Sequence, residues 1–195
     1  HARGAQLIVT VDNGISSHAG VEHARSLGIP VIVTDHHLPG DTLPAAEAII
    51  NPNLRDCNFP SKSLAGVGVA FYLMLALRTF LRDQGWFDER GIAIPNLAEL
   101  LDLVALGTVA DVVPLDANNR ILTWQGMSRI RAGKCRPGIK ALLEVANRDP
   151  QKLAASDLGF ALGPRLNAAG RLDDMSVGVA LLLCDNIGEA RVLAN

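Results

Sequence analysis

Residues Val31–Leu38 read VIVTDHHL: four β-branched residues, then an acidic residue and two adjacent histidines. A short β-branched run is typical of a strand buried in a parallel sheet, and we predict one over Pro30–Thr34. Gln6–Val11, QLIVTV, has the same character and is followed by Asp12-Asn13-Gly14, which predicts a turn. Polar and charged residues therefore directly follow two successive strands.

The segment between these strands predicts a helix. Ser16 or Ser17 is a suitable N-cap, and Gly28 ends the helix after about Leu27. The resulting β-α-β unit has parallel strands and a right-handed crossover, and Ala48–Ile50 is a candidate third strand. The sequence therefore predicts an α/β fold whose parallel sheet has helices on both faces.

The rest of the chain predicts mostly helices. Leu64–Arg82 is strongly apolar and indicates a buried helix, and Pro95 begins another that reaches about Leu106, where Gly107 ends it. Further helices are predicted at Ile121–Ala132, Pro137–Ala146, Ser156–Leu166 and Ser176–Leu183. We therefore expect an α/β part over residues 1–118 and a helical remainder of the same domain over residues 119–195.

The composition excludes several classes of protein. With 195 residues, 49% hydrophobic and 19% charged, the chain can bury the core of one domain and is not disordered. No apolar run approaches the ~18 residues of a membrane span, so no membrane partner is expected. Cys57, Cys135 and Cys184 are widely spaced, which favours a cytoplasmic protein over a disulfide framework or a zinc site. Two Trp, one Tyr and five Phe are too few for a platform that stacks on bases.

The net charge of −2 conceals an asymmetry. Residues 1–118 carry thirteen acidic and seven basic residues, whereas residues 119–195 carry seven acidic and eleven basic residues. One stretch without any acidic residue contains Arg120, Arg129, Arg131, Lys134, Arg136 and Lys140. The pattern is typical of a metal site beside a polyanion-binding face, but also of an ordinary solvated helix face, and charge alone leaves both open.

Ligands of open α/β sheets bind outside the carboxyl ends of the strands. Asp12 follows the first strand, and Asp35, His36 and His37 follow the second. Because neighbouring strands lie about 4.8 Å apart, these side chains can reach one cation. Two carboxylates and two imidazoles this close favour a divalent ion such as Mn²⁺. Asp12 alone is also an ordinary turn residue. Since two successive side chains do not share one direction, we expect the histidines to have different roles.

Asp111 lies in the apolar stretch from Val109 to Val113. A carboxylate in apolar surroundings is costly unless it is paired or binds a metal. Both a functional and a structural interpretation of Asp111 are therefore open.

Five ordered stretches that cover almost the whole chain resemble the DHH phosphoesterase superfamily. They are Ile8–Ser16 (IVTVDNGIS), Val31–Leu38 (VIVTDHHL), Leu64–Val69 (LAGVGV), Ala105–Leu115 (ALGTVADVVPL) and Gly159–Leu172 (GFALGPRLNAAGRL). The last two resemble the branch that degrades single-stranded DNA from the 5′ end. The resemblance implies a hydrolase of DNA repair and recombination with two Mn²⁺ or Mg²⁺ ions.

The resemblance also implies roles at the metal site. Asp12 would bridge both ions, His36 and Asp111 would bind one of them, and His37 would face the scissile phosphate. Asp35 would accept a hydrogen bond that orients a histidine.

The same resemblance places Arg165, Asn167 and Arg171 near the substrate backbone, where a planar guanidinium matches phosphate oxygens. Implied partners are single-stranded DNA, a single-strand-binding protein and a helicase. The superfamily's earlier motif, D-x-D-G-x-[ST]-[SA], is absent from this sequence, and its second domain would follow Asn195. We therefore expect most of a catalytic domain, cut at both ends, with little activity of its own and an interdomain helix from Ile187.

Two other functions stay open. A different DHH phosphoesterase would act on short oligonucleotides, cyclic dinucleotides or pyrophosphate, and substrate length distinguishes it. A non-catalytic receiver-like signalling module would use Asp12 as its phosphate acceptor, but it would leave the two histidines and Asp111 without a role.

Overall fold

The first part of the chain forms a small parallel sheet. The computed structural model describes residues 4–172 and 175–195; for residues 169–172 it describes the backbone alone. Strands β1 (Ile8–Val11), β2 (Val31–Thr34) and β3 (Ala48–Ile50) lie side by side in that order. Both pairings are parallel. The predicted β-α-β unit and third strand are confirmed.

Helix α1 (His18–Ser26) connects β1 to β2. It ends where predicted, because Gly28 takes a φ of +72°, which favours glycine. Its buried residues Val21 and Ala24 pack with Val31 and Val33 of β2. Apolar burial on this face of the sheet fixes the helix, since Ser17 at the N-cap makes no side-chain capping bond.

Strand β1 differs from expectation because it is not buried. It lies at an edge of the sheet as the structure describes it, and Ile8, Val9 and Val11 expose 37%, 47% and 49% of their surface. A β-branched run predicts strand conformation, but burial depends on what packs against both sides of the strand. The central strand β2 has those neighbours, and Val33 is fully buried.

Helix α2 (Gly66–Asp83) begins two residues after the predicted start and contacts β1 and β2. Its N-terminus therefore lies beside the sheet. The short helix α3 (Trp86–Glu89) follows it.

Contacts divide the chain into two compact units. The first comprises the residues up to Pro95 together with Leu115–Asn118, and the second comprises Asn96–Pro114 and Asn119–Asn195. In the second unit a 3-10 turn at Leu97–Leu100 leads into α4 (Leu101–Ala110).

The predicted end of this helix at Gly107 is wrong. Helix α4 continues to Ala110, and the backbone N–H of Asp111 still bonds to the carbonyl of Gly107 at 3.0 Å. A glycine costs a helix roughly 1 kcal/mol relative to alanine. Burial of the apolar residues Ala105 and Leu106 directly before it outweighs that cost.

The remaining helices enclose the core of the second unit. They are α5 (Ala117–Arg131), α6 (Pro137–Val145), α7 (Ala155–Asp157), α8 (Gly163–Leu172), α9 (Ser176–Leu183) and α10 (Ile187–Ala194). Ile130, Ile139, Leu143 and Leu158 have no exposed surface. No helix in the described ranges combines the length and hydropathy that a membrane span requires.

One turn of π-helix, Leu158–Leu162, separates α7 from α8 within the predicted helix Ser156–Leu166. Pro164 explains it, because proline has no N–H to donate and its ring crowds the carbonyl four residues earlier. The wider turn accommodates that ring, and such turns occur often at functional sites.

Candidate metal centre

Asp12 lies at the carboxyl end of β1, where its backbone is fixed by the neighbouring strand. Its N–H donates to the carbonyl of Thr34 at 3.0 Å. Its φ of +63° is left-handed, a conformation that aspartate and asparagine adopt more readily than most residues. The turn after β1 therefore directs the Asp12 carboxylate towards the end of β2.

His36 and His37 lie at the end of β2 and meet Asp12 there. His36 Nε2 is 3.0 Å from Asp12 Oδ1, and the imidazole rings of the two histidines are 4.5 Å apart. Ligand atoms of all three residues lie within 4.8 Å of one another. Carboxylate oxygen with imidazole nitrogen and no thiolate is a donor set that fits Mn²⁺.

The two histidines lie close together, and the expectation that they have different roles stays a prediction. Past Thr34 the chain is no longer extended, and the N–H groups of His36 and His37 both donate to Asp35 Oδ1, at 2.8 and 3.2 Å. This turn brings both rings to one point. Their partners nevertheless differ, since His36 contacts Asp12 and His37 contacts Asp35.

Asp35 is a buried anchor for this turn, with 1% of its surface exposed. Besides the two N–H groups from the histidines, Oδ1 accepts from His37 Nδ1 at 2.7 Å, and Oδ2 accepts from the backbone N–H of Ile15 at 2.9 Å. Burial raises the pKa of Asp35, but hydrogen bonds from Ile15, His37 and His36 outweigh it, so the pKa lies below its ordinary value. Because a carboxylate only accepts, a proton lies on His37 Nδ1, and the neutral ring then has its lone pair on Nε2.

Two asparagines that the sequence analysis missed hold the backbone of the histidines. Asn51 Nδ2 donates to the carbonyl of His37 at 2.8 Å, and Asn53 Nδ2 donates to that of His36 at 2.6 Å. Asn51 Oδ1 also accepts from the backbone N–H of Asn53 at 2.8 Å. Their position directly after β3 was the available signal, because the carboxyl ends of parallel strands share one edge.

Gly66 is a further residue that sequence reasoning missed. A Cβ at Gly66 would lie 2.5 Å from Cγ of Asp12 and closer still to Oδ1, so only glycine fits there without displacing the carboxylate. Gly66 is also the first residue of α2, and the positive end of a helix favours a nearby anion. The α2 N-terminus therefore both makes room for Asp12 and stabilises its charge.

Asp111, Arg165 and Asn167 belong to the second unit. Asp111 is exposed at the C-cap of α4, so the cost of burying a carboxylate does not arise there, and both interpretations of this residue stay open. Arg165 and Asn167 are exposed on α8, and Arg165 Nη1 donates to the carbonyl of Ala161 at 2.7 Å. The side chain of Arg171 lies outside the described residues. The roles of these four residues stay predictions.

The comparisons with known proteins agree with this geometry. The family model described as "DHH family, N-terminal domain" matches residues 2–108. The single-stranded-DNA-specific exonuclease RecJ of Escherichia coli (strain K12) is 99% identical over 195 residues, which are the whole chain and 34% of that protein. RecJ of Thermus thermophilus is 36% identical over 99% of the chain and 26% of that protein. The chain thus spans about a third or less of these relatives' length.

Solved structures give the same family. A RecJ exonuclease bound to manganese is similar with a TM-score of 0.79 and 36% identity, over 98% of this chain and 45% of that one. RecJ from Thermus thermophilus in complex with Mg²⁺ is similar with a TM-score of 0.61 and 28% identity, over 99% of this chain and 31% of that one.

Proposed function

The chain belongs to the DHH family, and from this we propose that it works within an exonuclease that hydrolyses single-stranded DNA from the 5′ end. The observation that carries the proposal is the convergence of Asp12, His36 and His37 at one edge of the sheet. RecJ relatives that match the whole chain are named as exonucleases specific for single-stranded DNA. In this proposal residues 1–118 and 119–195 are parts of one catalytic domain.

The metal is the first element of the proposed mechanism. Bound Mn²⁺ or Mg²⁺ supplies activation of water and neutralisation of phosphate charge, with two ions in the complete enzyme. Asp12 and His36 would hold an ion at this edge of the sheet, and Asp111 is the proposed additional ligand. Gly66 leaves the room that the Asp12 carboxylate needs for this position.

His37 is the residue we assign to the scissile phosphate. Its Nδ1–H donates to Asp35, which fixes the ring and its tautomer. Because Asp35 is buried and its pKa is low, it stays ionised at neutral pH and keeps that orientation. Asp35 is therefore a positioning residue, and His37 is the residue that touches substrate.

We assign the substrate backbone to Arg165, Asn167 and Arg171. Guanidinium and amide donors suit the oxygens of a phosphodiester, and contacts of this kind bind a strand without reading its bases. A role in repair and recombination, with a single-strand-binding protein and a helicase as partners, and a cytoplasmic location complete the proposal.

The test is Mn²⁺-dependent release of nucleotides from 5′ ends by the full-length enzyme. Asp12→Ala, His36→Ala and Asp111→Ala each abolish release if these residues bind the metal. His18→Ala, an exposed histidine on α1, is the matched control and leaves release unchanged. Activity that survives any one of the three substitutions removes that residue from the ligand set.

Substrate length separates this function from the alternatives. We expect degradation of long single strands, whereas preference for short oligonucleotides, cyclic dinucleotides or pyrophosphate would support a different DHH phosphoesterase. Labelling of Asp12 by acetyl phosphate would support the receiver-like module.

A further inference from the structure

The six basic residues between Arg120 and Lys140 do not act as one face. The guanidinium of Arg131 donates twice to the carbonyl of Leu153, from Nε at 3.0 Å and from Nη2 at 2.5 Å. That residue therefore joins two segments of the second unit. Three others, Arg129, Lys134 and Arg136, line one cavity of about 410 Å³ together with Glu99 and Cys135. We call this cavity the Arg129 pocket.

A rigid turn positions the cations of the Arg129 pocket. Gly133, with a φ of +70°, ends α5, and the N–H groups of Gly133 and Lys134 bond back to the carbonyls of Ile130 and Arg129, both at 2.9 Å. This pair of bonds is the Schellman arrangement, which folds Lys134 back towards Arg129. The pocket is therefore held by backbone hydrogen bonds.

A second set of contacts fixes the other side of the turn. The N–H of Arg136 donates to Oδ2 of the fully buried Asp102 at 2.8 Å, and Pro137 then begins α6. Asp102 Oδ1 accepts from the N–H of Leu103 at 2.8 Å. Both oxygens of Asp102 are thus occupied by backbone donors, and this carboxylate ties the turn to α4.

Two shielded donors of the Arg129 pocket have no acceptor in the part of the chain that the structure describes. The Nε atoms of Arg129 and Arg136 are shielded from solvent and have no hydrogen-bond partner within the described residues. Arg129, Lys134 and Arg136 form no ion pair there, although Glu99 lines the same cavity. A shielded donor without an acceptor is costly, so these two atoms indicate a ligand with acceptor oxygens.

The charge of the lining identifies the class of ligand. Three cations face the Glu99 carboxylate of the lining and the buried Asp102 carboxylate behind the turn, which leaves an excess of one positive charge and favours an anion. The N-terminus of α6, which begins beside Arg136, adds a partial positive charge. Two guanidinium groups offer planar pairs of donors that fit phosphate oxygens.

We propose that the Arg129 pocket binds a phosphate group, and that its source is a phosphate of the DNA strand held by the enzyme. The identity of the source rests on the proposed function, whereas binding of phosphate does not. The pocket then gives the enzyme a second grip on the strand, made by residues other than the ligands of the metal centre.

Cys135 reports occupancy of the pocket directly. Burial raises the pKa of its thiol, and the charge of Asp102 raises it further, so the thiol is alkylated slowly and a bound anion slows alkylation again. The experiment measures the alkylation of Cys135 by iodoacetamide in the full-length enzyme, resolved by peptide mass spectrometry, with Cys57 as the internal reference. EDTA removes divalent metal, so the result does not depend on the metal centre.

Three probes are compared with chloride at equal ionic strength: inorganic phosphate, thymidine monophosphate and long oligo(dT). Phosphate slows alkylation of Cys135 severalfold and leaves Cys57 unchanged if the pocket binds phosphate. Protection by oligo(dT) at lower concentration than the other two assigns the strand as source. Protection by phosphate and the mononucleotide alone assigns a free ligand, which overturns the strand as source but not the phosphate site.

The matched variants remove equal charge inside and outside the pocket. Arg129→Gln with Arg136→Gln weakens protection by phosphate at least about tenfold, since two charge-assisted donors are lost. Arg25→Gln with Arg82→Gln, both exposed in the first unit, leaves it unchanged. Lys134→Gln, an exposed change, replaces the double variant if that variant does not fold, and it weakens protection in the same direction.

Absence of protection beyond chloride by all three probes overturns the proposal, as does equal protection in the pocket variants and the control. An enzyme that degrades single strands without protection of Cys135 keeps its proposed function and loses this site. An enzyme that is protected but does not degrade DNA keeps the phosphate site and loses the proposed function.

Discussion

Replacement of Gly66 by alanine tests how closely α2 approaches the metal centre. The new Cβ would lie 2.5 Å from Cγ and 2.6 Å from Cβ of Asp12, whereas ordinary contacts begin near 3.4 Å. One side must therefore move by about 1 Å, estimated from ordinary van der Waals separation. Gly66 belongs to a helix packed on the sheet, but the Asp12 side chain is half exposed, so the carboxylate moves.

The expected loss is in metal binding more than in stability. Displacement of a ligand by about 1 Å costs on the order of 100-fold in activity, and disturbance of ligand orientation costs roughly 10–100-fold in metal affinity. The free energy of unfolding changes little, because the Asp12 side chain can move into solvent. We therefore expect the Mn²⁺ concentration that gives half-maximal activity of the full-length enzyme to rise at least about tenfold.

The assay combines Mn²⁺ titration calorimetry, nuclease activity against Mn²⁺ concentration, and thermal unfolding. Gly68→Ala is the matched control in the same helix: its Cβ would meet Cδ1 and Cγ of Leu64, at 2.6 and 2.8 Å, and no atom of Asp12. It lowers stability by about 1–3 kcal/mol through overpacking and leaves Mn²⁺ affinity unchanged. Wild-type Mn²⁺ affinity in Gly66→Ala, or equal loss in both variants, would refute the reasoning.

Other substitutions test the anchors described above. Asp35→Asn lowers the free energy of unfolding by about 1–3 kcal/mol at neutral pH, measured by urea denaturation, because the amide keeps one acceptor oxygen and its NH2 group cannot accept from the donors at the other position. Folding lowers the pKa of Asp35, so its contribution to the free energy of unfolding is fully present above the unfolded value of 3.8 and is lost as pH falls through the lower folded value. Plots of the free energy of unfolding against pH for the wild type and the variant therefore converge in acid. A constant difference down to acid pH would contradict this. Asp102→Ala lowers the free energy of unfolding by about 1–3 kcal/mol. Asp102→Asn lowers it less, because it keeps an oxygen that accepts from the N–H of Arg136. Equal denaturation midpoints for the two variants would exclude the anchoring role. Arg131→Gln lowers the free energy of unfolding by about 1 kcal/mol and leaves the salt dependence of DNA binding unchanged. Arg129→Gln instead reduces the slope of the logarithm of the binding constant against the logarithm of the salt concentration by about 0.7, for one lost phosphate contact to a single strand. A reduced slope in Arg131→Gln would assign that residue to DNA.

The strands and the residues at their ends are predictable because both depend on local sequence. β-branched runs give β2 and β3, and the residues that follow them occupy the shared edge of the sheet whatever packs elsewhere. The continuation of α4 through Gly107 is not predictable in this way. It depends on burial of Ala105 and Leu106 by segments distant in sequence, and the local preference of glycine for helix ends does not include the free energy of that burial.

The residues that support the site are harder to predict than the ligands. Asn51 and Gly66 act on atoms 14 and 54 positions away, on the carbonyl of His37 and on the carboxylate of Asp12. Asparagine after a strand and glycine at a helix start are both common for local reasons, so neither residue type indicates its partner. Their roles follow only when register and packing fix which strand ends meet.

The order of residues in the Asp35-His36-His37 triplet has a physical reason. An extended chain would separate successive side chains, yet a ligand atom of each histidine lies within 4.8 Å of one from Asp12, because Asp35 Oδ1 accepts the two following N–H groups and bends the backbone. The same oxygen then accepts from His37 Nδ1 and orients that ring. An aspartate placed after the histidines could not accept hydrogen bonds in this way, because the N–H groups of the histidines would then precede it in the chain. Burial of Asp35 keeps water from competing for these donors, so one carboxylate shapes the turn and orients a proposed metal-site histidine.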